Sequence, residues 1–343
     1  MRIERIASLA LISLLLVVGC NQPQASAPPP DAVETPPPAP AEPKIKVVAA
    51  NSVLCDLTKQ IAQDTIDLVC LIPAGQDPHE YKPTPQDAQA IETAAVVLYG
   101  GYNFEESLTK IVKDSKSKGN KVAVGELAVP KPLMVSAELA HSHDHDHDHD
   151  HGKEKAEAIA DPHVWHNAQN GIKMVEVITA QLSKAVPANA QFYQQNSQKL
   201  IAELTQLDAW IKAQIATIPA NRRKLVTTHD ALGYFATAYG IPLQTALLGI
   251  STAEQATPTR IAELVEQIKS SGVPTIFIEA TANPQLLNTV AKEAQVQVSP
   301  KSLLADGLAE QGQSGDTYQS MLIHNTQAIV EGLGGTFSAF NAK

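Results

Sequence analysis

The sequence has few aromatic residues, only three cysteines and no block of positive charge. Aromatic residues make up 4% of the 343 positions, and the formal net charge is −10. Because no run of Lys and Arg follows a predicted face, the electrostatic signature of nucleic-acid binding is missing, and we expect no nucleic-acid partner. The hydrophobic fraction of 44% and the charged fraction of 18% are ordinary for a soluble globular protein, and the length favours about two domains.

Recognised catalytic motifs are absent as well. The sequence has no H-E-x-x-H helix, no G-x-S-x-G turn and no G-x-x-x-x-G-K-S/T loop. These absences argue against the common zinc proteases, serine hydrolases and nucleotide-binding enzymes. We therefore expect a protein that is not an enzyme.

The first twenty residues read as an export signal. Arg2 and Arg5 precede an apolar run over residues 6–18, which is shorter than the ~20 residues that a membrane-spanning helix needs. Residues 1–19 are therefore predicted to be a cleaved signal peptide. The end of this segment, Gly19-Cys20, resembles the lipobox of bacterial lipoproteins, which implies acylation of the Cys20 sulfur and a membrane anchor. An ordinary signal with an incidental cysteine is the alternative.

The remaining cysteines, Cys55 and Cys70, belong to the exported part of the chain. Since an exported compartment is oxidising, the two residues can form a disulfide. Two buried free thiols are the alternative, and the sequence does not decide between them.

Two segments of biased composition divide the chain. Residues 20–43 are proline-rich and are predicted to be an extended tether. Residues 141–151 read HSHDHDHDHDH and are predicted to be a surface loop. Histidines that alternate with Asp share one face of an extended chain, so adjacent pairs can chelate a divalent ion; a solvated loop with little effect on the main site is the alternative. The auxiliary metal-binding candidates in this loop are His141, His143, His145, His147, His149 and His151.

Short β-rich runs alternate with helical patterns in the rest of the chain. This alternation predicts an α/β fold with parallel sheets, in which ligands bind beyond the carboxyl ends of strands. The predicted strands cover residues 46–50, 66–72, 96–99, 224–228, 242–247, 275–279 and 295–298. The predicted helices cover residues 53–63, 85–94, 188–218, 231–239, 258–271, 284–293 and 316–333, and a further helix begins after Asn167 as its N-cap.

The helix at 187–218 is unusually long and has one apolar stripe. The stripe consists of Leu200, Leu204, Leu207, Ile211 and Ile215, at spacings of three and four residues. A helix of this length can join two lobes. We predict an N-terminal lobe over residues 44–186, this rigid linking helix, and a C-terminal lobe over residues 219–343, with a metal ion in the cleft between the lobes.

Four candidate metal ligands lie beside predicted strand ends or a helix start. They are His79, His163, His229 and Asp306. Three imidazoles with one carboxylate or water complete a tetrahedral zinc site with bonds of about 2.0–2.2 Å, whereas Mn²⁺ favours more carboxylate oxygen. Taken singly, a histidine is more often a hydrogen-bonded surface or cap residue.

Five segments carry a specific resemblance to a known family. They are DPHEYKPTPQD at 77–87, DPHVWHN at 161–167, TTHDALGYFATAYGI at 227–241, IFIEATANPQ at 276–285 and LLADGL at 303–308. From about residue 44 to the C-terminus, the chain resembles the ZnuA-like and TroA-like metal-binding lipoproteins of bacterial ABC importers for zinc and manganese.

This resemblance implies a function and a ligand set. It implies capture of Zn(II) and delivery to a membrane permease and its ATPase, with His79, His163, His229 and Asp306 as ligands. Zinc is favoured because manganese members of the family typically have Glu where this chain has His229. Some zinc members complete the shell without the aspartate, so water is the alternative to Asp306. We expect a monomer, anchored through Cys20 on the periplasmic or cell-surface side.

Three further residues carry competing interpretations. His166 stands where the family commonly has an apolar residue; it either turns toward the metal or, as the favoured interpretation, faces solvent. Glu279 either accepts a hydrogen bond from a ligand imidazole or serves as a helix cap or surface charge. His324, inside the last predicted helix, is predicted to make structural hydrogen bonds.

Two other functions stay open. Three histidines with one free position also suit a zinc-dependent hydrolase, although no general base is indicated. A stand-alone surface metal buffer or adhesin is the other alternative.

Overall fold

The first described strands form a four-stranded parallel sheet, in which their spatial order is 67–70, 46–49, 96–99 and 120–123. The fold is that of a computed structural model, which describes residues 44–136 and 158–342. The strands are β1 Lys46–Ala49, β2 Asp67–Cys70, β3 Val96–Tyr99 and β4 Asn120–Ala123. The helices beside this sheet are α1 Ser52–Ala62, α2 Pro85–Thr93, α3 Glu106–Asp114 and α4 Val124–Ala128. The sheet and its helices form the N-terminal lobe.

A short antiparallel pair follows this sheet. Strand β5 (Met134–Ser136) pairs with β6 (Ala158–Ala160), and the segment between the two strands contains the predicted His-rich loop. The loop at 141–151 lies outside the described residues, as do the predicted signal peptide 1–19, Cys20 and the tether 20–43. In residues 44–136 and 158–342, no helix combines the length and the apolar character needed to cross a bilayer.

Two long helices occupy the middle of the chain. Helix α5 covers Ala168–Ala185, and the Asn167 side chain caps it by accepting a hydrogen bond from Gln169 N. Helix α6 covers Ala190–Ala216, 27 residues, which is about 40 Å at 1.5 Å per residue. Its apolar stripe is buried as predicted: the five side chains from Leu200 to Ile215 are at most 4% exposed.

The C-terminal lobe repeats the α/β alternation with shorter strands. The elements are β7 Leu225–Thr227, α7 Gly233–Tyr239, β8 Leu243–Ala246, α8 Pro258–Ser271, β9 Thr275–Ile276, α9 Pro284–Ala294, β10 Gln297–Val298 and α10 Tyr318–Gly332. Strands β7 and β8 pair in parallel, as do β9 and β10. A backbone hydrogen bond from Phe277 N to Val226 O, 2.9 Å long, joins the two pairs.

The lobes share one large hydrophobic core. A single cluster of buried side chains includes Leu57 from α1, Leu207 from α6 and Phe235 from α7. Smaller clusters fill the outer side of each sheet, around Val97 in the N-terminal lobe and Ile268 in the C-terminal lobe. The fold is therefore α/β, with two parallel-sheet lobes and a long helix packed along both.

Cys55 and Cys70 are joined by a disulfide, with their Cα atoms 5.6 Å apart. The bond links α1 to the last residue of β2. Both residues belong to the N-terminal lobe. The disulfide therefore holds α1 and β2 together, and the loop that carries His79 follows β2.

Candidate metal centre

Two of the candidate histidines lie in copies of the same tripeptide, Asp-Pro-His. In each copy the Asp Oδ1 accepts a hydrogen bond from the His backbone N–H at 2.9 Å, from His79 to Asp77 and from His163 to Asp161. Such Asp-initiated turns hold the backbone without any helix or strand. The sequence thus builds two rigid turns that present an imidazole.

The third candidate histidine follows strand β7 directly. His229 is fully buried, and its Nδ1 contacts the carboxylate of Glu279. The same carboxylate accepts the backbone N–H groups of Thr228 at 3.2 Å and His229 at 3.1 Å. Glu279, 1% exposed, therefore fixes both the backbone and the ring of His229, which decides between the two interpretations of this residue.

The carboxylate of Asp306 comes from the loop after β10. Its Oδ2 accepts a hydrogen bond from Thr281 Oγ1 at 3.3 Å, while its Oδ1 is buried and has no hydrogen-bond partner in the described part of the chain. Oδ1 instead faces the Nε2 atoms of all three histidines, at 3.5 Å from His79, 3.4 Å from His163 and 3.1 Å from His229. The four side chains therefore converge on one point.

Five of the six separations among these four donor atoms are close to those of a tetrahedral metal site. His163 Nε2 lies 3.3 Å from His79 Nε2 and 3.4 Å from His229 Nε2, and all four donors lie within 4.8 Å of one another. A metal bonded at about 2.0–2.2 Å to four tetrahedral ligands separates them by about 3.3–3.6 Å. Five of the six separations, from 3.1 to 3.5 Å, lie at or close to this range.

Hydrogen bonds on the far side of two rings leave their Nε2 atoms free to bind a metal. The carboxylate of Asp161 contacts His163 Nδ1 at 2.9 Å, and that of Glu279 contacts His229 Nδ1. Because an ionised carboxylate only accepts, each Nδ1 carries the proton and each neutral ring keeps its Nε2 lone pair. These lone pairs and Asp306 Oδ1 then repel one another unless a cation or a proton lies between them.

The site contains three buried carboxylates, whose negative charge a cation would neutralise. Asp161, Glu279 and Asp306 are each at most 1% exposed, and their ion-pair partners are imidazoles. A buried carboxylate is costly unless it is paired or coordinates a metal. The donor set therefore fits a divalent metal ion.

The pKa values in the metal-free protein follow from the same charges. Burial acts to lower the pKa of His229, but the carboxylates of Asp306 and Glu279 raise it well above its ordinary value. For His163 the balance is similar: burial opposes the protonated ring, and Asp161 and Asp306 raise its pKa. Burial acts to raise the pKa of Asp306, but His229 and the other imidazoles hold it well below the usual range. Protons thus compete with metal for the imidazoles.

Aromatic rings enclose one side of the site. The Phe104 ring lies edge-on to His79, with centroids 5.1 Å apart, and to His163 at 5.5 Å. Trp165 packs on Phe104 at 4.6 Å. These rings exclude water behind the imidazoles, which strengthens electrostatic interactions with a bound cation.

The structure corrects the prediction for His166. The favoured interpretation, a solvent-facing side chain, is wrong, because the ring is fully buried. Nor does this ring belong to the converging cluster of His79, His163, His229 and Asp306. It contacts the Ala305 carbonyl through Nε2 instead, and burial together with the nearby His163 lowers the pKa of His166 to about 3.

His324 makes structural hydrogen bonds, as predicted. Its Nε2 contacts Ser302 O at 2.8 Å, and its Nδ1 contacts Ser314 Oγ at 3.1 Å.

The role of Asp161, which orients His163, was not predicted from the sequence. The signal was present, since Asp-Pro-His occurs twice and each copy supplies one converging imidazole. Phe104 and Thr281 were missed as well, and no local pattern marks them, because their contacts depend on how distant loops meet.

Comparison with known proteins identifies the family of the chain. A family model described as "Zinc-uptake complex component A periplasmic" matches residues 47–332. The chain is 36% identical over 294 residues to the manganese ABC transporter substrate-binding lipoprotein PsaA of Streptococcus pneumoniae, covering 84% of this chain and 89% of the relative. It is 32% identical over 332 residues to a metal ABC transporter substrate-binding lipoprotein of Lactococcus lactis, covering 96% of both chains.

A solved structure shares the fold. The periplasmic zinc-binding protein TroA of Treponema pallidum matches with a TM-score of 0.75 at 30% identity, over 84% of this chain and 99% of that chain. Two parallel-sheet lobes, a long helix and a buried cluster of histidines with a carboxylate thus accompany a family match over most of the sequence. The chain belongs to the ZnuA/TroA family of metal-binding substrate-binding proteins of ABC transporters.

Proposed function

We propose that the chain captures one Zn²⁺ ion through His79, His163, His229 and Asp306 and delivers it to a membrane permease and its ATPase. The observation that carries this proposal is the convergence of three imidazole Nε2 atoms and Asp306 Oδ1 at separations close to a tetrahedral metal site. Zinc prefers four ligands of this kind in this geometry.

The choice of zinc over manganese rests on the donor set. Three nitrogens and one carboxylate oxygen suit Zn²⁺, whereas Mn²⁺ favours more oxygen ligands. Manganese stays the second candidate because PsaA, a relative at 36% identity, is named for manganese, while the structural neighbour TroA is named for zinc. The position of His229, where manganese members typically have Glu, favours zinc in this chain.

The chain is proposed to act outside the cytoplasm as a lipid-anchored monomer. The Gly19-Cys20 pair supports acylation of Cys20, and both sequence relatives described above are named lipoproteins. In this arrangement the tether at 20–43 holds the folded part off the membrane.

The family supplies a transport component and not an enzyme, so the hydrolase alternative has no support. A stand-alone metal buffer or adhesin is separated from an importer by growth of a gene-deletion strain in a zinc chelator. An importer predicts impaired growth that added zinc restores, and unimpaired growth would contradict import.

Metal identity is tested on the soluble chain that begins at residue 44. Elemental analysis after purification and calorimetric titration with Zn²⁺ and Mn²⁺ should give one tightly bound zinc ion and weaker manganese binding. Preferential binding of manganese at the same residues would overturn the zinc assignment and leave the transport assignment in place.

A further inference from the structure

His166 is a buried histidine that reaches from one part of the metal site to another. It ends the 3₁₀ turn Val164–His166, which begins one residue after His163, and its ring is fully buried. Its Nε2 lies 2.7 Å from the carbonyl oxygen of Ala305, the residue that precedes Asp306. The turn that follows the candidate ligand His163 therefore also holds Ala305, the residue next to the candidate ligand Asp306.

The direction of this hydrogen bond follows from its acceptor. A carbonyl oxygen only accepts, so the proton of the ring is on Nε2 and the Nδ1 atom carries the lone pair. That Nδ1 is buried and has no hydrogen-bond partner in residues 44–136 and 158–342. A buried acceptor without a partner is unfavourable, so an apolar side chain would suit the Nδ1 side of this position better. The Ala305 bond is the interaction that offsets this cost.

Each of the three successive backbone carbonyls before Asp306 accepts a hydrogen bond. Leu303 O accepts from Ala280 N at 2.8 Å, and Leu304 O accepts from Asn325 Nδ2 at 2.8 Å. In the described part of the chain, the donor to the next carbonyl, that of Ala305, is His166. The first two carbonyls are held by the C-terminal lobe, whereas the third is held by a side chain that precedes α5.

We propose that His166 is a positioning residue that aims the Asp306 carboxylate at the three imidazoles by holding the Ala305 carbonyl. This inference rests on the proposed function, in which Asp306 is a metal ligand. Because His163 is the N-cap of the 3₁₀ turn that His166 ends, the bond couples the position of His163 Nε2 to that of Asp306 Oδ1, which are 3.4 Å apart. Asp306 Oδ2 has its own donor in Thr281, so the loop is held on two sides.

The variants separate this role from general packing. His166→Leu keeps a buried apolar side chain but removes the donor, and His166→Gln keeps an N–H group at a similar reach. His324→Leu is the control, because His324 also contacts a backbone carbonyl of this region, that of Ser302 at 2.8 Å, but Ser302 does not adjoin Asp306. Each change is also made in an Asp306→Ala background.

Zinc affinity is measured for the full chain in detergent, by competition with a chromophoric chelator at less than one equivalent of Zn²⁺. His166→Leu is expected to weaken zinc binding about tenfold, the lower end for residues that orient a metal ligand. His166→Gln is expected to recover most of this loss, and His324→Leu to stay within twofold of the unmodified chain. In the Asp306→Ala background, His166→Leu is expected to cause no further loss.

Three outcomes would overturn the inference. Affinity within twofold of the unmodified chain for His166→Leu, or equal losses for His166→Gln and His166→Leu, would show that the donor is not needed. An equal loss with and without Asp306 would show that His166 acts through packing. In all three cases tight zinc binding by the unmodified chain leaves the proposed function standing, whereas no measurable zinc binding by that chain would overturn both. If His166→Leu does not fold, His166→Met, which also lacks a donor and adapts more easily to a packed site, replaces it in the two backgrounds.

Discussion

At the scale of single residues, the candidate metal site is defined by which imidazole nitrogen carries the proton. Asp161 and Glu279 hold the Nδ1–H groups of His163 and His229, so in the neutral rings both Nε2 lone pairs point toward Asp306 Oδ1. Each imidazole is oriented by a group that itself contacts the backbone of the same histidine. A carboxylate that accepts the Nδ1–H group of an imidazole fixes the orientation of the ring and raises the basicity of its Nε2 atom.

Replacing His229 tests the ranking of the metal-binding residues. His229→Ala removes one of four converging donors and leaves the Glu279 carboxylate without its imidazole partner, so zinc binding is expected to weaken by at least about 100-fold. Deletion of residues 141–151 is expected to weaken it far less, because none of the four converging donors lies in that segment. Calorimetry on the two variants gives the ranking, and the reverse order would refute the site assignment.

The dependence of metal binding on pH follows from the raised pKa values of His163 and His229. Zinc binds the neutral rings, so protonation competes with it, and affinity is expected to fall as the pH is lowered from above 6.5 toward 5. Asp306, whose pKa is lowered, stays ionised over this range. Calorimetric titrations at several pH values check this, and full affinity at pH 5 would contradict it.

The same pKa shifts predict an opposite trend for the metal-free fold. When folding raises the pKa of a histidine, protonation of that histidine stabilises the fold. This stabilisation is complete below the pKa of the histidine in the unfolded chain, about 6.5, and it is lost as the pH rises through the pKa in the folded protein. The increase in Tm caused by zinc should therefore grow from pH 6.5 upward. An increase that does not change with pH would count against competition between protons and zinc.

At the scale of elements, agreement between sequence and structure depends on local signals. Helix α8 begins and ends as predicted because Thr257 caps it, Pro258 occupies its first position and Gly272, at φ +69°, ends it. Helix α3 was missed, and its N-cap residue, Glu105, makes no side-chain capping bond. Strand β9 is shorter than predicted because Glu279 pairs only in an isolated bridge with Leu303.

The convergence of the candidate ligands was predictable in part for the same reason. His79, His163 and His229 were identified from their positions after strands, before a helix and in family motifs. The buried placement of His166 was not, because its partner, Ala305, lies 139 residues away in sequence. Contacts of that range depend on the packing of the two lobes and leave no periodic pattern in the sequence.

A hydrogen bond between loops is expected to slow the release of metal. Thr252 Oγ1 donates to Asp77 Oδ2 at 2.6 Å, and Asp77 Oδ1 holds the backbone of His79. Thr252→Val removes the donor at nearly constant shape. A hydrogen bond to a charged group contributes about 1.5 kcal/mol, so zinc dissociation should become up to about tenfold faster.

The matched control for this change is Thr252→Ser, which keeps the hydroxyl group. Stopped-flow transfer of zinc to a chelator measures the dissociation rate of each variant. Equal rates for Thr252→Val and the unmodified chain would show that this contact does not hold the turn of His79.

At the scale of the whole molecule, the two lobes are held together by a common core. The same cluster of buried side chains contains Leu57, Leu207 and Phe235, which come from the N-terminal lobe, the long helix and the C-terminal lobe. Opening the lobes would expose these side chains at a cost of roughly 1.5–3 kcal/mol for each large apolar residue. Metal entry and release are therefore expected to involve loops and not separation of the lobes.

Solution scattering tests this expectation. The radius of gyration of the chain from residue 44 onward is expected to change by less than about 1 Å when zinc is removed, because the shared core keeps the lobes in place. A change of several ångströms would indicate lobe opening and would contradict the role given to the shared core and the long helix.

The central claim is that four residues distant in sequence hold one cation. A crystal structure of the zinc-loaded protein, with anomalous differences measured at the zinc absorption edge, tests it most directly. We predict one strong anomalous peak at about 2.0–2.2 Å from His79 Nε2, His163 Nε2, His229 Nε2 and Asp306 Oδ1. A peak elsewhere, or one within bonding distance of fewer than three of these atoms, would contradict the account.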